Sequence, residues 1–137
     1  MYKIEVRVSF RSAHRLLPPY KGHCNHVHGE YYTAIFVFGS KTLDTNGMVF
    51  DFGTVKKMLK TWIDEHLDHA YICNKKDDVG VYLEDKGFRV YKIDSNPTAE
   101  NLAQLLFNLC IKLNIPAVKV GVVESSPDSI AWYEKGS

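Results

Sequence analysis

The stretch His28 to Phe38, HGEYYTAIFVF, decides how this chain folds. Tyr32, Ala34, Phe36 and Phe38 recur at every second position, as in a strand, yet Ile35 and Val37 on the opposite face are apolar too. Both faces of this strand should therefore be covered. Upstream, Tyr2 to Phe10 alternates strictly, with Ile4, Val6, Val8 and Phe10 against Lys3, Glu5, Arg7 and Ser9, which predicts a half-buried strand. Downstream, LDTNGMVFDFG carries the turn pair Asn46-Gly47, and Val55, Met58, Leu59, Trp62 and Ile63 then fall at helical spacing behind a capping Asp51.

Asn96 and Pro97 set up a second helix, Asn as cap and Pro at the first helical position. Leu102, Leu105, Leu106, Leu109, Cys110 and Leu113 form its stripe, and Asn114 with Pro116 ends it. Val118, Val120 and Val122 predict a third strand ending at Glu124, and Ile130 to Glu134 returns as a fourth after the turn SSPDS. The segment Asp68 to Asp94 is charged and irregular, with a short strand suggested at Phe88 to Ile93. The order ββααββ predicts an α+β fold: one domain, 1–137, with a four-stranded antiparallel sheet and two helices on one face.

A chain of 137 residues with 45% hydrophobic and 24% charged side chains is an ordinary globular sequence. Its net charge of +1 gives no electrostatic case for nucleic acid or an anionic membrane, and points to a small-molecule ligand. No apolar run approaches the roughly 18 residues needed to span a bilayer, and the N-terminus alternates, so a cytoplasmic protein is expected. Three cysteines, Cys24, Cys73 and Cys110, are too few and odd in number for a disulfide framework, so each thiol should be reduced.

The chemistry gathers in HCNHVHGE, residues 23–30. His28 and Glu30 share a strand face, and His14, with the parity of the apolar face of the first strand, could come beside them across an antiparallel pair. Two histidines and a glutamate with an open fourth position match a catalytic zinc site, and equally a facial triad for ferrous iron. His26 has the parity of His28 and competes with it as a ligand; His23 reads as a solvated loop residue. Cys110 lies on an apolar stripe, whereas Cys24 sits among histidines, where a cation lowers a thiol's pKa. Asp68-His69 is a second relay, in which the carboxylate orients the imidazole. Glu124, on the side of Val118, Val120 and Val122, is a carboxylate aimed along a buried face, suited to the N–H pair of a guanine or pterin ring or to an internal cation.

Together, FRSAHRL, Cys24-x-x-x-His28-Gly29, MVFDFG, LDHAYICN, NPTAEN and VVES resemble, in order and spacing, the 6-pyruvoyltetrahydropterin synthase and 6-carboxytetrahydropterin synthase family. The resemblance implies the tunnelling fold, or T-fold, with subunits closing their sheets into a barrel, a homo-oligomer (a hexamer) with sites between subunits. It implies His14 and His28 as zinc ligands, Cys24 as catalytic thiol, Asp68 and His69 as its relay, Glu124 as pterin anchor, and Thr98 and Glu100 in the pocket lining. One position departs from the family: Glu30 stands where a third histidine is usual, which leaves zinc, iron or another divalent metal open. Arg11, Arg15 and Lys21 are candidates for a triphosphate. The implied reaction is conversion of 7,8-dihydroneopterin triphosphate to 6-carboxy-5,6,7,8-tetrahydropterin, with loss of triphosphate and acetaldehyde, as in queuosine biosynthesis. Retention of all side-chain carbons would instead make the chain a 6-pyruvoyltetrahydropterin synthase, and loss of chemistry with the third histidine would leave a pterin or purine binder. The short chain and the Cys-x-x-x-His-Gly spacing favour the carboxy product.

Overall fold

In the computed structural model, which describes residues 1–136, alternation carries the first strand β1 from Tyr2 to His14, past the predicted end at Phe10, and β2 runs from His28 to Ser40. The two pair antiparallel along 13 residues, with Phe10 opposite Tyr32, Ser12 opposite Glu30 and His14 opposite His28. A one-residue slip would turn every apolar side chain to the wrong face, so burial of the core fixes this register. Val6, Val8 and Phe10 join Tyr32, Ala34, Phe36 and Phe38 in one apolar layer. The other face of β2 is closed too, with Ile35 2% and Val37 7% exposed.

The turn at Asn46-Gly47 forms as expected. Gly47 has φ +78°, a left-handed conformation that glycine adopts without strain, and the Asp44 carboxylate accepts the Asn46 and Met48 N–H groups. Asp51 then starts α1 (Phe52–His66) by accepting the Thr54 N–H at 2.8 Å. Val55, Leu59 and Ile63 recur at i, i+4 and are fully buried against the sheet.

The segment 68–94 departs from the expected four-stranded, two-helix layout. It forms β3 (Tyr71–Asn74), α2 (Asp78–Asp85) and β4 (Val90–Ile93), the last within the suggested short strand. The sheet is six-stranded and mixed, in the order β4-β3-β1-β2-β5-β6, with β3 parallel to β1 and β4 parallel to β3. Four-residue strands are too short to display a period, and the eight-residue α2 carries Gly80 in its apolar pattern. Glycine is needed there because the Cys73 sulfur lies 2.5 Å from where a Cβ would project.

The next helix, α3 (Ala99–Lys112), is capped by Thr98, whose hydroxyl accepts the Asn101 N–H at 3.2 Å, and not by Asn96 with Pro97 inside the helix. Asn96 instead exchanges two hydrogen bonds of 3.0 Å with the backbone of Leu17, tying the loop after β1 to the start of α3. Thr98→Ala should lower the unfolding free energy by about 1 kcal/mol in a urea titration, with Thr98→Ser retaining most of it. Asn114, at φ +57°, ends the helix as predicted, and β5 (Ala117–Glu124) and β6 (Ile130–Glu134) follow antiparallel. α1 packs over β1, and α3 over β5 and β6, on the same core face. Along the strands that face ends in polar residues at His14, His28, Glu30 and Glu124, beside the N-terminal end of α3. Among the described residues no helix is long and apolar enough to cross a membrane.

Candidate functional site

The cross-strand pair His14–His28 puts two imidazoles edge to face, with ring centroids 4.5 Å apart, and Glu30 is two residues along the same strand face. One donor atom from each of His14, His28 and Glu30 lies within 4.8 Å of the others. Backbone carbonyls orient both rings: Nδ1–H of His14 donates to Pro97 O at 3.0 Å, and Nδ1–H of His28 to His26 O at 2.7 Å. A carbonyl can only accept, so each Nδ1 carries the proton and each Nε2 presents its lone pair. The Nε2 of His28 is buried without a hydrogen-bond partner, with Glu30 Oε1 3.5 Å away. An orphaned, buried lone pair beside a second imidazole and a carboxylate is a donor set that fits a divalent cation. Burial lowers the His14 pKa, with His28 as the next cause, and keeps the ring in the neutral form that a ligand must have. The competing His26 contributes its carbonyl, while its side chain is exposed, as is that of His23.

Cys24, half-buried in a single 3-10 turn (His23–Asn25), opens into a cavity of about 170 Å³ with His14, Thr98, Glu100 and Glu124. A neighbouring hollow of about 290 Å³ shares Ala99, Glu100 and Glu124 and extends to Ser129 and Ile130. Five of the nine expected site residues, His14, Cys24, Thr98, Glu100 and Glu124, thus line one cavity, beside His28 and Glu30. Glu124, opposite Tyr32 in the register of β2 and β5, has its pKa raised by burial and then by the Glu30 charge, with His28 opposing. A carboxylate so placed gains from an N–H donor pair, which would satisfy it.

Two residues not foreseen belong to this site. The fully buried Tyr32 hydroxyl lies 2.9 Å from His14 Nδ1, and its pKa is driven up by burial, then by Glu124 and Glu30. Tyr20 is near Cys24, and the thiol raises the pKa of the phenol. Tyr32 reads in the sequence as one more aromatic of the core face, and Tyr20 lies in an irregular loop, so neither carried a signal.

Asp68 and His69 pair as expected but elsewhere. The Asp68 carboxylate accepts His69 Nδ1–H at 2.8 Å and the Arg11 N–H at 3.0 Å. Burial opposes ionisation of Asp68, but these two donors outweigh it and hold its pKa below the ordinary value. The His69 side chain is 77% exposed and faces a separate cavity of about 400 Å³ bordered by Val27, Tyr71, Phe88 and Arg89. Within one chain, therefore, His69 and Cys24 open into different cavities. Of the three basic candidates, Arg15 is committed internally: its guanidinium grips the buried Asp77 at 2.7 and 3.1 Å, and Tyr71 donates to the same carboxylate. Arg11 lies over the Tyr31 ring at 4.8 Å, and Lys21 borders an open basin with Tyr20, His23 and His26.

A family model described as 6-pyruvoyl tetrahydropterin synthase matches residues 3–136. The 6-carboxy-5,6,7,8-tetrahydropterin synthase of Rickettsia bellii is 37% identical over 110 residues, 79% of each chain. The enzyme of the same name from Synechocystis is 28% identical over 138 residues, covering 97% of this chain and 94% of that one. Among solved structures, an uncharacterized protein from Wolinella succinogenes superposes with a TM-score of 0.82 at 22% identity, covering 98% of both chains. The 6-pyruvoyl tetrahydropterin synthase of Caenorhabditis elegans superposes at 0.73 with 23% identity, covering 98% of this chain and 96% of that one. At these identities the superpositions speak for the fold.

Proposed function

This chain belongs to the 6-pyruvoyl tetrahydropterin synthase family, and from that premise we propose that it is a lyase converting 7,8-dihydroneopterin triphosphate and water to 6-carboxy-5,6,7,8-tetrahydropterin, triphosphate and acetaldehyde. The observation that carries the reading is the shared cavity of Cys24 and Glu124 beside the His14, His28 and Glu30 group, in a chain whose relatives at 36–37% identity bear the carboxy-product name. We assign the anchoring of the pterin ring to Glu124, which would accept the paired N–H groups of the heterocycle, with Thr98 and Glu100 along its edge. We assign His14, His28 and Glu30 to a divalent metal, zinc in the first instance, which would supply Lewis acidity toward the side-chain hydroxyls of the substrate.

Proton transfer then falls to the chain's own groups. The Cys24 thiol, which opens into the cavity shared with Glu124, would remove a proton from a side-chain carbon of the substrate. His69, oriented by Asp68, acts as the partner acid or base. Since Cys24 and His69 open into different cavities of one chain, this division of labour calls for His69 from a neighbouring subunit. We read the assembly as the T-fold barrel, a homo-oligomer such as a hexamer with its sites between subunits, and the enzyme as one of queuosine biosynthesis in the cytoplasm.

The reaction is tested by incubating the purified chain with 7,8-dihydroneopterin triphosphate and resolving products by mass spectrometry. Acetaldehyde with the 6-carboxy product is expected; 6-pyruvoyltetrahydropterin would reassign the chain within its family, and unchanged bound substrate would make it a binder. Metal content is tested separately. About one zinc or iron per chain is expected by elemental mass spectrometry after purification without chelator, and Glu30→Ala should lose most of it. Full retention in Glu30→Ala would remove Glu30 from the ligand set.

A further inference from the structure

Glu30 brings a carboxylate up to His14 and His28, and that carboxylate is not left to itself. Ser125 follows the last residue of β5 in a left-handed conformation, φ +56°, and is tied down by its N–H, which donates to Tyr31 O at 2.6 Å. From that anchored position its hydroxyl donates to Glu30 Oε2 at 2.5 Å, the carboxylate being able only to accept when ionised. The other oxygen, Oε1, is the one nearest the orphaned His28 Nε2. A histidine at this position would present one nitrogen with one lone pair. A free carboxylate presents two equivalent oxygens and turns about its terminal torsion, so it is a poorly defined replacement.

We infer that Ser125 is a positioning residue that occupies one oxygen of Glu30 and so makes the carboxylate a one-oxygen metal ligand. This inference rests on the metal reading of His14, His28 and Glu30. Partners outside the ligand sphere fix ligand orientation and basicity, and their loss costs metal affinity even though they never touch the ion.

The test is Zn²⁺ binding by the full chain, measured by competition with a chromophoric chelator, with chemical unfolding of the metal-free protein as a control. Ser125→Gly removes the hydroxyl while accepting the left-handed backbone, so the unfolding midpoint should stay in place. Its Zn²⁺ affinity should fall about 10- to 100-fold. Ser125→Asn, which tolerates the same backbone and restores an N–H donor, should recover part of the loss. In a Glu30→His background, where no carboxylate needs orienting, Ser125→Gly should change the affinity by less than about twofold. Equal affinities of wild type and Ser125→Gly would overturn the role of Ser125 and leave the metal site standing. Equal losses in both backgrounds would also overturn it, since the hydroxyl would then act through the fold and not through Glu30. Failure of the wild-type chain to take up Zn²⁺ at all would bring down the metal reading and this inference with it.

Discussion

Cys24→Ala should lower turnover of 7,8-dihydroneopterin triphosphate by about 10²- to 10⁴-fold, the range for loss of a positioned acid or base. Metal content and unfolding midpoint should not change. Cys24 shares the cavity of His14 and Glu124 but is not in the group of converging ligand atoms, so its removal empties no coordination position. It lies in a one-turn helix with its backbone carbonyl accepting the Leu16 N–H at 2.7 Å, a contact alanine preserves. The other two thiols offer no substitute: Cys73 and Cys110 are buried, with pKa values pushed up to about 11 and about 12. Product quantitation beside elemental analysis checks both halves of the expectation, and turnover that survives the substitution removes Cys24 from the chemistry.

The second large effect is a recovery. His69→Asn, chosen because asparagine tolerates the φ of +58° at this position, should be as inactive as Cys24→Ala. Co-expressing the two inactive chains and isolating the mixed oligomer should restore about a quarter of wild-type turnover, the share of sites that combine an intact Cys24 from one subunit with an intact His69 from the next. The reason is geometric: the exposed His69 side chain and the half-buried Cys24 open into different hollows of the same chain, so the proposed pair would be drawn from two copies. No recovery in the mixed oligomer would mean that His69 and Cys24 do not cooperate across a subunit boundary.

Much of this arrangement could be read from residue order because it rests on long, regular elements. The alternation of β1 and β2 and the parity of His14, His28 and Glu30 follow from a period of two, so the meeting of these three side chains needed only the antiparallel pairing to be right. What escaped is short or irregular. β3, α2 and β4 are four to eight residues each, below the length at which a period can be counted, and they turned an expected four-stranded antiparallel sheet into a mixed one of six. Asn96 and Thr98 are both good caps two residues apart, and the sequence cannot tell that the Asn96 side chain is engaged by Leu17 from 79 residues away. Arg15 had the charge for a phosphate, but its partner Asp77 is 62 residues on in the segment that could not be read. Ser125 sits in a turn, where a serine is unremarkable until its hydroxyl is seen on Glu30.

The 13 paired positions of the β1–β2 ribbon have one more consequence. His14, His28 and Glu30 are held by the same backbone ladder that closes the hydrophobic core, so their convergence is complete before any ion arrives. The ordering entropy that a zinc finger recovers only on taking up its metal is, in this chain, spent in folding the ribbon. A chelator should therefore strip the site and leave a folded protein behind, with the ion acting as a reagent held in a finished cradle and not as a staple of the fold.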